Sequence, residues 1–308
     1  LRDRKAGWVP DRDVVLALTA DEEGGDANGV EYLIANHEPL IDAAFAINEG
    51  GGGALRDGQP VFNSVQAAEK VPVNFTLTAT NRGGHSSVPR PDNAIYELAR
   101  GLVKVADYKF PVHLNEVSRA FFSSTAPLET PEMGAAMRAI AADANDSTAA
   151  ATLSRDPRYA STLRTTCVAT RLAGGHAYNA LPQTATANVN CRIVPTSNAE
   201  ETKAALERIV GDTAVRVTYT FPLDAERAPP APRPVDPELL AAVASLTRSM
   251  WGSIPVIPVM STWATDGATL RAAGIPTYGV NGLFTVPGDE NMHGRDEKLR
   301  VRSFYEGL

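Results

Sequence analysis

Two adjacent carboxylates, Glu22 and Glu23, follow the apolar run Val14-Val15-Leu16-Ala17-Leu18 and precede Gly24-Gly25. Acidic residues in such a place can simply be solvated at the positive end of a following helix. Distant residues give them a second reading. Glu23, Glu49 and His293 offer carboxylate oxygens and an imidazole nitrogen, donors that zinc accepts, and three protein ligands leave a position open for water or substrate. Glu22, beside a ligand but directed elsewhere, then has the chemistry of a general base taking a proton from water. Taken singly, Glu49 is equally a solvated residue before a glycine turn and His293 a surface-loop histidine, since ligands so far apart form no short motif.

His85 lies in Arg82-Gly83-Gly84-His85-Ser86-Ser87, where glycines let the backbone turn tightly and present one polar side chain. It could polarise a substrate carbonyl or bond to its own loop. Asn179, within Gly174-Gly175-His176-Ala177-Tyr178-Asn179-Ala180-Leu181-Pro182, and Arg192 could hold a carboxylate, the arginine through its bidentate fork. An arginine on the polar face of a strand can also be merely solvated. His37 and His113 read as structural.

Other chemistries fail on their own requirements. The glycines after Glu49 lack the Lys-Ser/Thr of a phosphate loop. No G-x-S-x-G elbow surrounds Ser86 or Ser261. The two cysteines, Cys167 and Cys191, form no CxxC pair, so they offer no thiolate zinc site and decide no compartment. A net charge of -7 argues against a nucleic-acid surface. No run approaches about 18 apolar residues, so no membrane span is expected. At 308 residues and 44% hydrophobic, the chain can bury a core and make two domains.

The elements that must position these residues follow from periodicity. Asp13–Thr19 and Ala43–Ile47 are short and almost wholly apolar, as buried strands of a parallel sheet are, with a helix between them capped by Asn28. Glu22, Glu23 and Glu49 then fall beyond strand C-terminal ends, where α/β sheets bind ligands. Residues 71–222 spell β-α-β-β-α-β, a ferredoxin-like unit, with an Ala-rich insertion at about 114–160 that reads as a flap of short helices. A proline-rich loop over 228–234 leads back to the first sheet, through a helix at 237–251 and a strand at 277–280. The expected architecture is α/β: a discontinuous sheet domain at 1–70 and 223–308, interrupted by the ferredoxin-like domain at 71–222.

Five segments complete the picture: Asp21-Glu22-Glu23-Gly24-Gly25, Asn48-Glu49-Gly50-Gly51, Gly83-Gly84-His85-Ser86-Ser87, Asn179-Ala180-Leu181-Pro182 and Met292-His293-Gly294. Their order and spacing resemble the zinc-dependent metallopeptidase family of aminoacylases, carboxypeptidases, succinyl-diaminopimelate desuccinylase and acetylornithine deacetylase. The Ala187–Pro195 strand and His293-Gly294-Arg295-Asp296-Glu297 look most like the branch of carboxypeptidase S and N-acyl-amino-acid hydrolases. The resemblance implies a zinc-peptidase-like sheet domain with an inserted lid and dimerisation domain, and two zinc ions, replaceable by cobalt or manganese. It implies Glu22 as general base, Glu23 and His293 as ligands to one ion, Glu49 as ligand to the other, and His85 as the residue steadying the oxyanion. Asn179 and Arg192 would hold the substrate carboxylate, and Thr265-Asp266 would line the pocket. The implied substrate is an N-acyl amino acid or short peptide, and the implied assembly a homodimer. A desuccinylase or deacetylase of the same family, or a non-catalytic binding protein that dimerises, are the alternatives. The family's upstream H-x-D segment and bridging Asp have no counterpart before Asp21. The expectation is therefore a fragment, incomplete at its N-terminus, that binds zinc poorly and hydrolyses little.

Overall fold

A computed structural model describes residues 5–24, 27–221 and 234–308 of the protein. Asp13–Thr19, expected as a buried strand, forms no strand, and Val14, Val15, Leu16 and Leu18 are exposed. A strand exists through hydrogen bonds to a neighbour, and no described strand pairs with this run, so apolar character alone does not place it in a sheet. Next comes α1 (Gly29–His37), whose start is fixed by Asn28: its side-chain oxygen accepts from the backbone N–H groups of Val30 and Glu31. Two of the four donors orphaned at a helix start are thereby satisfied. The strand expected over 43–47 is displaced to β1 (Ala46–Asn48). Then follows a hairpin that the expected element order omits, β2 (Gly52–Arg56) and β3 (Gln59–Glu69). Its tip, Asp57-Gly58, has φ of 52° and 76°, the left-handed pair that a two-residue hairpin turn requires. The glycine run before it serves close chain approach: a Cβ on Gly51 would lie 2.6 Å from the Gly279 carbonyl oxygen.

The ferredoxin-like unit appears as expected. It contains β4 (Val71–Thr80), the short β5 (Gly84–His85) and α2 (Ala94–Asp107). After the insertion come β6 (Thr166–Gly174), β7 (Ala180–Leu181), β8 (Thr184–Ile193), α7 (Ala199–Val210) and β9 (Val215–Tyr219). The insertion itself supplies α3 (Glu116–Thr125), α4 (Pro131–Ala142), α5 (Ser147–Leu153) and α6 (Pro157–Leu163). The sheet order is β6-β8-β4-β9, antiparallel throughout. Alternation puts Phe75, Leu77, Val189 and Ile193 on one face, packed against Leu98 and Leu206 of the two helices. The insertion is not a flap. It has its own core of Phe122, Met137, Ile140, Leu153 and Leu163, and α3 drives Val117 into the apolar cluster of the other sheet beside Val65 and Met260.

That other sheet resumes with α8 (Pro237–Trp251), β10 (Val256–Ser261), α9 (Asp266–Ala272), β11 (Thr277–Gly279) and β12 (Phe284–Thr285), before α10 (Val301–Glu306). Its order is β1-β11-β3-β2-β12 with β10 beside β3. The sheet is mixed rather than parallel, because the β2–β3 hairpin and the β11–β3 pair are antiparallel. The proline-rich loop expected over 228–234 lies, apart from Pro234, outside the described residues. Among the described residues no helix is long and apolar enough to cross a membrane.

Cys167 and Cys191 face each other in the β6–β8 register and form a disulfide across 24 positions. A loop of that length restricts the unfolded chain enough to stabilise the fold by about 3 kcal/mol. Reduction, or Cys191→Ala, is expected to lower the free energy of unfolding by that order in urea titrations with and without dithiothreitol.

Lys70, between β3 and β4, is fully buried and donates to the Ser161 carbonyl oxygen at 2.8 Å and to Thr166 Oγ1 at 3.2 Å. Burial, with some repulsion from Arg192, holds its ammonium down to about 7 from the ordinary 10.5. Between those values the unfolded chain binds the proton that the folded chain has released, so Lys70 makes stability rise with pH from about 7 towards 10.5. Unfolding measured across that range should show this rise, and Lys70→Met should flatten it.

Candidate active site

Six of the residues singled out from sequence line one cleft of about 370 Å³: Glu22, Glu23, Arg192, Thr265, Asp266 and His293. The turn at 21–24 presents the glutamates, with Asp21 at φ 66°; its carboxylate accepts from the Ala27 N–H at 3.0 Å. His293 on the opposite loop also has positive φ, 62°. Left-handed backbone at two non-glycine residues flanking one cleft is uncommon and gathers at functional loops. His293 Nε2 lies 3.9 Å from Glu23 Oε2.

Glu22 is pushed up to about 7, first by burial and then by the carboxylates of Glu49, Asp266 and Glu23, with a hydrogen bond shared with Glu49. Glu49 therefore joins the cluster from the end of β1. Arg192 reaches the cleft from the polar face of β8, half-buried, and burial lowers its pKa. Among the described residues it belongs to no ion pair.

The floor is built from behind. Thr265 caps α9, accepting from the Gly267 N–H, and its hydroxyl donates to Glu69 Oε2 at 3.0 Å. Glu69 Oε1 pairs with Arg271 Nη2, and Arg271 Nη1 donates to the Thr277 carbonyl oxygen at 3.0 Å. Asn28 Nδ2 donates to Asp266 Oδ1 at 2.7 Å, tying the start of α1 to the start of α9. The links from Asn28 to Asp266 and from Glu69 to Thr265 and Arg271 span about two hundred positions, so the sequence shows Asn28 only as a helix cap and gives no sign of Glu69 and Arg271. Trp263, half-exposed on the cleft wall, also went unnoticed; a tryptophan just beyond a strand end was its only signal.

His85 and Asn179 are brought together elsewhere, on the two-stranded β5–β7 ribbon. Ser86 N–H donates to the Asn179 carbonyl oxygen at 2.9 Å, and both side chains are exposed. His85 Nδ1 accepts from the Ser87 N–H at 3.2 Å and lies 2.7 Å from Ser87 Oγ, which leaves Nε2 as its outward nitrogen. Neither residue lines the acidic cleft.

A mixed sheet interrupted by a ferredoxin-like unit, with His293 facing Glu23 in a cleft between strand ends and loops, defines a class of two-part α/β folds. The chain belongs to peptidase family M20/M25/M40, whose family model matches residues 1–308. It is 24% identical to human N-fatty-acyl-amino acid synthase/hydrolase PM20D1, over 96% of this chain and 60% of that protein. It is 28% identical to probable carboxypeptidase S-like 2 of Dictyostelium discoideum, over 97% of this chain and 58% of that protein. An M20 family metallo-carboxypeptidase from Sulfolobus solfataricus shares the fold with a TM-score of 0.56 at 18% identity, covering 92% of this chain and 65% of that one. The chain thus spans about 60% of the length of the curated relatives it matches.

The family implies a divalent metal, typically zinc. The donors fit in kind but not in number: Glu23 and His293 are suitable partners, yet among the described residues no group of three or more His, Cys, Asp and Glu is placed to hold an ion.

Proposed function

We propose that the protein hydrolyses an amide or peptide bond next to a free carboxylate, in an N-acyl amino acid or at a peptide C-terminus. The observation that supports this best is an arginine, without an ion-pair partner among the described residues, in the same cleft as a carboxylate held near 7. In this reading two zinc ions serve the cleft, Glu23 and His293 contributing to one and Glu49 to the other. Bound zinc would supply Lewis acidity, making water a better nucleophile and the carbonyl a better electrophile. Glu22 takes the proton from the attacking water and returns it to the leaving amine. Arg192 receives the substrate carboxylate through its fork, which fixes the scissile bond over Glu22. Thr265 and Asp266 hold the wall opposite, and Trp263 offers apolar surface to a side chain or acyl group.

His85 and Asn179 enter when the ferredoxin-like unit closes as a lid, His85 bringing Nε2 to the oxyanion and Asn179 its amide to the carboxylate end. The same unit is proposed to pair two copies of the chain: β6 is an edge strand, and its Val168 and Leu172 are exposed. Two donors per ion or fewer make turnover by this chain alone slight, so substrate capture is the better test. N-acetyl amino acids should bind in calorimetry, and Arg192→Gln should weaken them by about 10-fold or more, the worth of a charge-assisted hydrogen bond. Capping the ligand carboxylate as an amide should cost as much. Equal binding of free and capped ligands would remove the carboxylate from the proposal.

A further inference from the structure

Arg192 and Trp263 line the same cleft, and the strand pairing puts them on the same side of it. Ser261, the last residue of β10, lies opposite Glu69, and its carbonyl oxygen accepts from the Lys70 N–H at 3.0 Å. The residues that follow Lys70 on β4, Val71 and Pro72, lie opposite Ile193 and Arg192. A residue two positions beyond Ser261 is therefore on the arginine's side, and its own N–H donates back to Ser261 Oγ at 3.2 Å, which holds the turn. From Trp263 the wall runs through Ala264 to Thr265 and Asp266, and the charge of Asp266 is felt at Glu22. Guanidinium, indole and Glu22 thus follow one another in that order.

Of the described residues lining the cleft, Trp263 alone is large and apolar. It is 51% exposed, and among the described residues no ring packs on it and no cation sits over it. An indole in otherwise polar surroundings offers one apolar plane. A planar ring covers such a plane and leaves its edge to water and polar groups, and offset rings gain beyond the area they bury. A long acyl chain would need a trough with apolar sides, which the other lining residues do not provide.

We infer that the cleft selects an aromatic amino acid at the carboxylate end of its substrate, with the ring stacked on Trp263. The inference rests on the reading in which Arg192 receives the substrate carboxylate. The carbon that bears that carboxylate also bears the amino-acid side chain, so the side chain falls beside Arg192, where the indole is. The acyl group lies beyond the scissile bond, on the Glu22 side. Trp263 is then a specificity-determining residue for the amino acid that leaves and not for the acyl group.

Three ligands titrated into the 308-residue chain by calorimetry test this: N-acetylphenylalanine, N-acetylalanine and N-phenylacetylalanine. The last is an isomer of the first with its ring moved to the acyl group. N-acetylphenylalanine should bind about 10-fold more tightly than N-acetylalanine and about 5-fold more tightly than its isomer, as partial burial and stacking of one ring allow. Trp263→Ala should reduce the first ratio to about 2 or less, and Trp263→Phe, which keeps a ring, should restore most of it. N-acetylphenylalanine binding no better than N-acetylalanine, the isomer binding as well as N-acetylphenylalanine, or a ratio unchanged in Trp263→Ala would each overturn the inference. Should a variant fail to fold, as judged by its thermal melt, the comparison of the two isomers in the unaltered chain decides. The amide of N-acetylphenylalanine separates the two levels. A loss on capping with no preference for the ring overturns the aromatic selection alone, whereas equal binding of free and capped forms overturns the carboxylate reading and the selection with it.

Discussion

Arg271→Ala is expected to destabilise the fold by about 3–5 kcal/mol, because it leaves the Glu69 carboxylate buried without its cation. The Glu69 side chain is only 2% exposed and that of Arg271 14%. Burial raises the Glu69 pKa and the guanidinium opposes the rise, so the pair is balanced only while both members are present. Without Arg271, Glu69 must either bury a bare charge or take up a proton. The loss should appear as a lowered urea midpoint with an unchanged slope. Replacing both partners, Glu69→Leu with Arg271→Leu, should recover much of it, since two apolar groups need no compensation. A single substitution costing under about 1 kcal/mol would mean that water reaches Glu69. The damage should also reach the cleft, because Glu69 holds the hydroxyl of Thr265, the cap of the helix that carries Asp266.

Glu22→Gln should act in the opposite sense on stability and far more strongly on chemistry. If Glu22 is the base, hydrolysis by zinc-supplied protein falls by at least about 10²-fold, the usual contribution of a positioned acid–base group. The zinc content should not change, since Glu23 and His293 are untouched. The same substitution removes one of four mutually repelling carboxylates, Glu22, Glu23, Glu49 and Asp266. Stability should therefore rise by about 1 kcal/mol, as when a functional cluster is neutralised. Turnover measured beside zinc content and a thermal melt separates the cases. Full turnover would exclude Glu22 as base, and loss of zinc would make it a ligand.

Much of the fold was legible because its signals are local. The alternation of Val71, Val73, Phe75 and Leu77, the Asn28 cap and the apolar face of a helix read over about 92–106 are all signals between near neighbours, and the structure has a strand at Val71–Thr80, the cap, and a helix at Ala94–Asp107. Asp57-Gly58 is equally local: it is the turn of a hairpin, and the antiparallel pair it joins makes the sheet mixed. The run Asp13–Thr19 failed for another reason: an apolar stretch states what it could bury, while a strand depends on a neighbour that the run itself does not specify.

The site divides the same way. Glu22, Glu23, Arg192 and His293 were marked by residue type and meet in one cleft. His85 kept both readings, since its Nδ1 is bonded within its own turn while Nε2 faces outward. Lys70, Glu69 and Arg271 gave no warning, because what makes them unusual is burial and partners 91 to 202 positions away.

Glu69 and Lys70 are neighbours in sequence that hold different bodies. One carboxylate grips α9 of the first sheet; the next side chain grips Ser161 of the helical insertion and Thr166 at the root of β6. This crossing between the two sheets is therefore pinned on both sides. Any swing of the ferredoxin-like unit that keeps those bonds must turn about residues 69–70 as a fixed pivot, so displacement grows with distance from it. The rim carrying His85 and Asn179 would sweep through an arc while Arg192, whose charge is felt at Lys70, stays almost still. In the proposed reading, closure on such a pivot would bring the ribbon down onto a ligand held by Arg192.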